Sequence, residues 1–170
     1  MWGDEYFTYV DIDSIGKGDG SINFDKKLLG KNAPSRARRL AKNQTAIIST
    51  VRPYLRGFAF IDLVPEKTLF STGFALIKSK SESKYITKLI YLLFMFSDNL
   101  MKQMEIAMPK IAYPSINKDD IENFIIPLPS FTEQQKIVAE IEKIETEINQ
   151  LETEVATFPA KKEAILRKWL

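Results

Sequence analysis

The chain contains no cysteine and no histidine. Without cysteine there is no disulfide framework, no thiol nucleophile and no cysteine-ligated metal site. Without histidine it lacks the side chain most often used as a general base or a metal ligand. Long hydrophobic runs are missing too: the longest, residues 89–96, falls far short of the roughly 18–20 residues that a bilayer span needs. The N-terminus shows no basic-then-apolar secretion signal. A cytoplasmic protein without a membrane partner is the expectation.

Net charge is also nearly absent, at +2 over 170 residues, but the balance hides a strong segregation. Residues 31–61 hold seven basic side chains (Lys31, Arg36, Arg38, Arg39, Lys42, Arg52, Arg56) and no acidic one. Residues 130–158 hold seven Glu against two Lys. The first segment points to a polyanionic partner, the second to a solvated or partner-matched face.

Apolar and turn residues order the chain into a mixed α/β domain followed by a long helix. Residues 6–15 partly alternate and are rich in aromatic and β-branched side chains, so they read as a strand closed by Gly16, Gly18 and Gly20. That glycine run lacks the spacing of a phosphate-cradling fingerprint and reads as a turn. Residues 46–51, 58–64 and 69–78 read as further strands, the last with Gly73 as a bulge or close-approach point. Pro53 and Gly57 punctuate the connection between the first two. Residues 82–108 read as helix in two pieces with a joint at Ser97-Asp98-Asn99. Pro109, Pro114, Pro127 and Pro129 mark an extended stretch interrupted by one helical turn over residues 118–124.

At Ser130 the pattern changes to helix. Ser130 and Glu133 have the spacing of a capping box, in which each side chain accepts an orphan N–H of the other residue. Ile137, Ile141, Ile144, Ile148, Leu151, Val155 and Phe158 then recur at alternating steps of four and three. An apolar stripe this narrow on a polar helix calls for another helix. These seven residues are the expected oligomer interface, along about 40 Å of coil; the plain alternative is an amphipathic helix lying back on its own domain. Pro159 is expected to end or kink the helix. The boundaries read 1–129 for the domain, 130–158 for the coil and 159–170 for a short helical tail.

Two basic constellations could meet nucleic acid. Arg36, Arg38, Arg39 and Lys42 fall within seven residues, and Arg52, Tyr54 and Arg56 alternate along a loop. The planar guanidinium fork suits phosphate and guanine alike. Lys110 joins these seven as a candidate DNA contact. The plain alternative is a solvated basic face, with arginines such as Arg36 or Arg52 pinning turns. Catalytic chemistry finds little support. Asp11, Asp13 and Glu66 are the only acids that approach a metal-nuclease pattern, and no cofactor loop for methyl transfer is present.

The blocks APSRARR (33–39), STVRPYL (49–55), STGFALI (71–77) and FIIPLPSFTEQQKIV (124–138), in that order and spacing, resemble the specificity subunits of type I restriction–modification enzymes. The resemblance implies an α/β (mixed α+β) target recognition domain that reads one half of a bipartite double-stranded DNA site. It implies that the helix after it packs antiparallel with a counterpart and sets the distance between two such domains. One domain and one helix here imply a half-subunit or single-repeat fragment that works as a homodimer through an antiparallel coiled coil. The chain starts almost at its first strand and stops at Trp169-Leu170, earlier than the helical end of family members. The resemblance further implies a non-catalytic subunit with no cofactor of its own. Two methyltransferase subunits would carry S-adenosylmethionine, and a restriction subunit, joined indirectly, would hydrolyse ATP. A protein–protein adaptor or decoy that dimerises through the helix without binding DNA stays open beside this reading.

Overall fold

A computed structural model of the chain describes residues 3–80, 84–109 and 113–170. It divides into two compact units, Met1–Pro129 and Ser130–Leu170. The first contains two small sheets. β1 (Tyr6–Val10), β2 (Lys27–Leu29), β3 (Ala37–Arg39) and β6 (Thr68–Ser71) form one, in the order β2-β1-β6-β3. β4 (Thr45–Ser49), β5 (Phe58–Ile61) and β7 (Phe74–Ile77) form the other, in the order β5-β4-β7. β1 and β6 are parallel, and every other strand pair is antiparallel.

Several boundaries differ from the sequence expectation for local reasons. The strand from Tyr6 stops at Val10. The Asp11 N–H donates to Ser14 Oγ at 3.2 Å, the Ser14 hydroxyl donates back to Asp11 Oδ1 at 3.0 Å, and residues Ile12–Ser14 become a 3-10 turn. The expected single strand over 69–78 is two strands in different sheets. Thr72 and Gly73 divide it: the Thr72 N–H donates to the Arg36 carbonyl and the Gly73 N–H to Ser71 Oγ, which turns the chain from one sheet into the other. Gly73 is the close-approach point, since a β-carbon there would stand 2.9 Å from Ile12 Cδ1. β2 and β3, three residues each, carry too little pattern to be foreseen.

The core lies between the two sheets and under one helix. Val10, Phe70, Ile47 and Phe74 are fully buried and belong to one apolar cluster drawn from both sheets. α1 (Lys84–Phe96) packs across β4 and β5, where Phe58 and Phe94 meet edge-on at 5.9 Å between centroids. Burying each such ring contributes about 1.5–3 kcal/mol. α2 (Asp98–Ala107) begins at the expected joint, with Ser97 Oγ accepting from the Leu100 N–H. α2 lies against the turn between β4 and β5. α3 (Lys118–Asn123) is the single helical turn foreseen there, capped by Asn117.

The second unit is α4, Phe131–Trp169, a 39-residue helix. The Ser130 N–H and hydroxyl both donate to Glu133 Oε2, and the Glu133 N–H donates to Ser130 Oγ. Those bonds hold the Glu133 carboxyl below its usual range. Contrary to expectation, Pro159 neither ends the helix nor separates a tail, because α4 continues through it to Trp169. A proline in a helix interior removes one backbone hydrogen bond and crowds the preceding turn, while residues 160–167 (AKKEAILR) that follow it are mostly strong helix formers.

Candidate nucleic-acid interface

Three connections meet at one end of the domain. The turn between β4 and β5 is a short 3-10 segment, Pro53–Leu55, flanked by Arg52 and Arg56, both left-handed at φ 47° and 51°. The Arg52 N–H donates to the Pro114 carbonyl and the Ile116 N–H to the Thr50 carbonyl, tying this turn to residues 113–116. The Gly18 N–H donates to the Arg56 carbonyl, tying in the glycine turn. Gly18 needs φ +83° to do so, which glycine adopts without strain.

These turns enclose a cleft of about 460 Å³ lined by Lys17, Arg36, Arg52, Asp13 and Tyr113 among others. Three cations and one carboxylate face the same space. The Arg52 guanidinium lies 5.8 Å from the centre of the Tyr113 ring, a cation–π contact that limits how far the side chain swings. Such a cluster, open to solvent and held by backbone hydrogen bonds, suits a polyanion.

The seven described sequence candidates do not all gather in one cleft. Arg36 and Arg52 share the cleft, and Tyr54 stands exposed on the turn beside it. Arg56 is half-buried and approaches Asp98 at 3.9 Å, at the start of α2, so part of its charge is answered within the domain. Arg38 is the extra residue of a bulge in β3: Ala37 pairs with Ser71 and Arg39 with Phe70, leaving both arginines exposed. A bulge re-aims a side chain in this way. Arg39 lines a second hollow with Lys78, Lys118 and Phe94, and Lys42 a third with Lys78 and Lys80. Lys110 lies outside the described residues. Lys17 and Tyr113 were missed; their only sequence signals are a lysine inside the glycine turn and an aromatic beside Pro114.

The acids of the metal-nuclease alternative, Asp11, Asp13 and Glu66, do not gather into a metal-holding group. Among the described residues no group of three acidic side chains is placed to hold a metal. Asp11 is engaged by the Lys26 ammonium; partial burial opposes its ionisation, but Lys26 and the Ser14 hydroxyl outweigh that and hold its carboxyl below the usual range. Among the described residues no helix is long and apolar enough to cross a membrane.

Along α4, Ile137, Ile144, Ile148, Leu151, Val155 and Phe158 are exposed and Ile141 is half-buried. Ile165, Leu166 and Trp169 extend the exposed apolar surface beyond Pro159.

Comparison with known proteins agrees with this architecture. The family model for the type I restriction modification DNA specificity domain matches residues 36–157. The crystal structure of the HsdS subunit from Thermoanaerobacter tengcongensis is similar, with 33% identity and a TM-score of 0.72, over 87% of this chain and 38% of that one. A chain from a structure described as "Structural basis underlying complex assembly and conformational transition of the type I R-M system" is similar at 35% identity and a TM-score of 0.71, with the same coverage. The chain thus spans 38% of the length of these solved relatives. No curated protein matches it. Its mixed α/β domain and long C-terminal helix match the fold of the HsdS recognition domain and the helix that follows it. The protein belongs to the type I restriction–modification DNA specificity domain family, with a single target recognition domain.

Proposed function

We propose that this chain reads one half of a bipartite double-stranded DNA site for a type I restriction–modification assembly. The observation that carries the proposal is the cleft where Lys17, Arg36 and Arg52 converge. In this reading arginine and lysine there neutralise phosphates and fix register, while exposed side chains such as Tyr54 and Arg38 meet base edges. In this reading the chain performs no chemistry and holds no cofactor. It docks methyltransferase subunits, which bring S-adenosylmethionine, and a restriction subunit that uses ATP joins through them. A second copy, paired through the exposed stripe of α4, supplies the other half-site. Two-fold symmetry then makes the target an interrupted palindrome.

The test is DNA binding with the methyltransferase present, together with methylation mapping in cells that carry the pair. Arg36→Ala and Arg52→Ala are expected to weaken binding to all sequences alike and to reduce the salt slope by about one each, as phosphate contacts do. Arg38→Ala is expected to relax the methylated motif at one position, a loss of about 1–3 kcal/mol. Full DNA affinity in all three variants would remove the interface from this face. An asymmetric methylated motif would remove the homodimer. Methyltransferase binding without any DNA binding would favour the adaptor reading.

A further inference from the structure

One strand of the domain has an open side. β7 stands at the end of the order β5-β4-β7, so β4 pairs with only one of its sides. The Ser49 N–H donates to the Gly57 carbonyl and the Thr50 N–H to the Gly73 carbonyl. In an antiparallel ladder this alternation turns the backbone groups of Ala75 and Ile77 toward β4 and those of Leu76 away from it. Among the described residues nothing meets the outward N–H and carbonyl of Leu76. The hollows of Arg39 and of Lys42 flank this edge, and both contain Leu76 and Lys78. Leu76 joins Phe74 at the core between the sheets, so Ala75 and Ile77 take the opposite face. On that face lies the first hollow, about 470 Å³, lined by Ile90, Phe94 and Phe124. On the face of Leu76 lies the other, lined by Lys42, Thr45 and Lys80.

We propose that the edge of β7 takes up an extended segment of a partner protein, as an added strand that alternates apolar and acidic residues. A strand laid along an edge sends successive side chains to opposite faces. The apolar set enters the hollow at Ile90, Phe94 and Phe124. The acidic set meets Lys42, Lys78 and Lys80, whose hollow contains no carboxylate. The Lys78 ammonium donates to the Asn43 carbonyl at 2.9 Å, which holds it beside the edge. In the apolar hollow the one carboxylate, Glu122, is already paired with Lys118 at 3.2 Å. Arg39, Lys42, Lys78, Lys80 and Lys118 therefore select an acidic segment. They also repel a second copy of the same edge, since lysines on an edge strand oppose self-pairing. Duplex DNA answers the charge, but it has no peptide groups for Leu76 and no alternating apolar side chains for the hollow at Phe94. Arg39 and Lys42, candidates for DNA by sequence, serve the partner strand instead.

The probe is a short, fluorescently labelled synthetic peptide of alternating glutamate and isoleucine, titrated onto the full chain and followed by anisotropy. Saturable binding is expected, with slowed hydrogen exchange at the Leu76 amide. N-methylation of one alternate set of peptide amides is expected to abolish binding, and of the other set to leave it intact. The reason is that a strand turns only every second N–H to its neighbour. Lysine in place of glutamate in the peptide is expected to abolish binding as well. These changes leave the chain untouched, so a misfolded variant cannot imitate their result. In the chain, Lys42→Glu combined with Lys80→Glu changes two exposed side chains and is expected to lower affinity about tenfold. Absence of saturable binding, an unchanged Leu76 exchange rate at saturation, or equal loss from both methylated sets overturns the proposal. Duplex DNA that protects the Leu76 amide and is not displaced by the peptide assigns the edge to nucleic acid, and overturns it too.

Discussion

At Gly20, φ is +75° and the Tyr91 hydroxyl of α1 occupies the space a β-carbon would take. A side chain there meets two penalties at once, a left-handed backbone and a displaced aromatic. Gly20→Ala is expected to lower stability by about 1–2 kcal/mol from the backbone alone, read as a lower urea midpoint. The matching change at Gly18, which has open space around it, isolates the backbone part. Asp11 gives a second residue-scale expectation. Its carboxyl is held below the value it has in an unfolded chain, so its ion pair with Lys26 contributes stability above the unfolded pKa near 3.8. That contribution disappears as pH falls through the folded value. Asp11→Asn is therefore expected to be less stable than the parent at pH 6, and the gap is expected to close as the solution is acidified below the carboxylate range. A gap that persists at low pH would assign the loss to packing at the 3-10 turn and not to charge.

Among the elements, what could be read from sequence depended on how local the signal was. The joint between α1 and α2, the turn of α3 and the start of α4 rest on caps whose donor and acceptor lie three residues apart (Ser97, Asn117, Ser130). Of these, the Ser130–Glu133 capping box is legible directly from the sequence. β2 and β3 exist because β1 and β6 pair with them from far along the chain, and residues 69–78 split because of bonds to Arg36 and within the turn itself. The candidate site follows the same rule. Arg36 and Arg52 stood out as basic residues, whereas Lys17 and Tyr113 reach the cleft only through the folding of distant turns. Helix α4 shows a propensity argument outweighed: a single proline implies an end or a kink, and the helix passes it without ending. Pro159→Ala restores a backbone hydrogen bond and is expected to stabilise α4 by up to about 3 kcal/mol, seen by circular dichroism as a higher thermal midpoint of α4 unfolding. An unchanged midpoint would mean that the residues beyond 159 are not part of the cooperative unit.

For the whole molecule, the proposed pairing makes α4 the part that sets the distance between half-sites. Inserting one heptad between Ser130 and the centre of the pairing keeps the stripe in phase and lengthens each arm by about 10.5 Å. The methylated motif is expected to gain spacer base pairs accordingly, read by methylation mapping of cells that carry the lengthened chain. An unchanged spacer would show that the distance is set elsewhere.

The stripe of α4 alternates in steps of four and three, and that has a consequence for the DNA. Only whole heptads preserve the apolar face, so such a spacer lengthens in quanta. One quantum, about 10.5 Å, nearly equals the rise of three base pairs, about 10.2 Å. Under the proposed pairing protein and target are commensurate, and chains of this design are expected to favour gaps that differ by multiples of three pairs per arm over a continuous range.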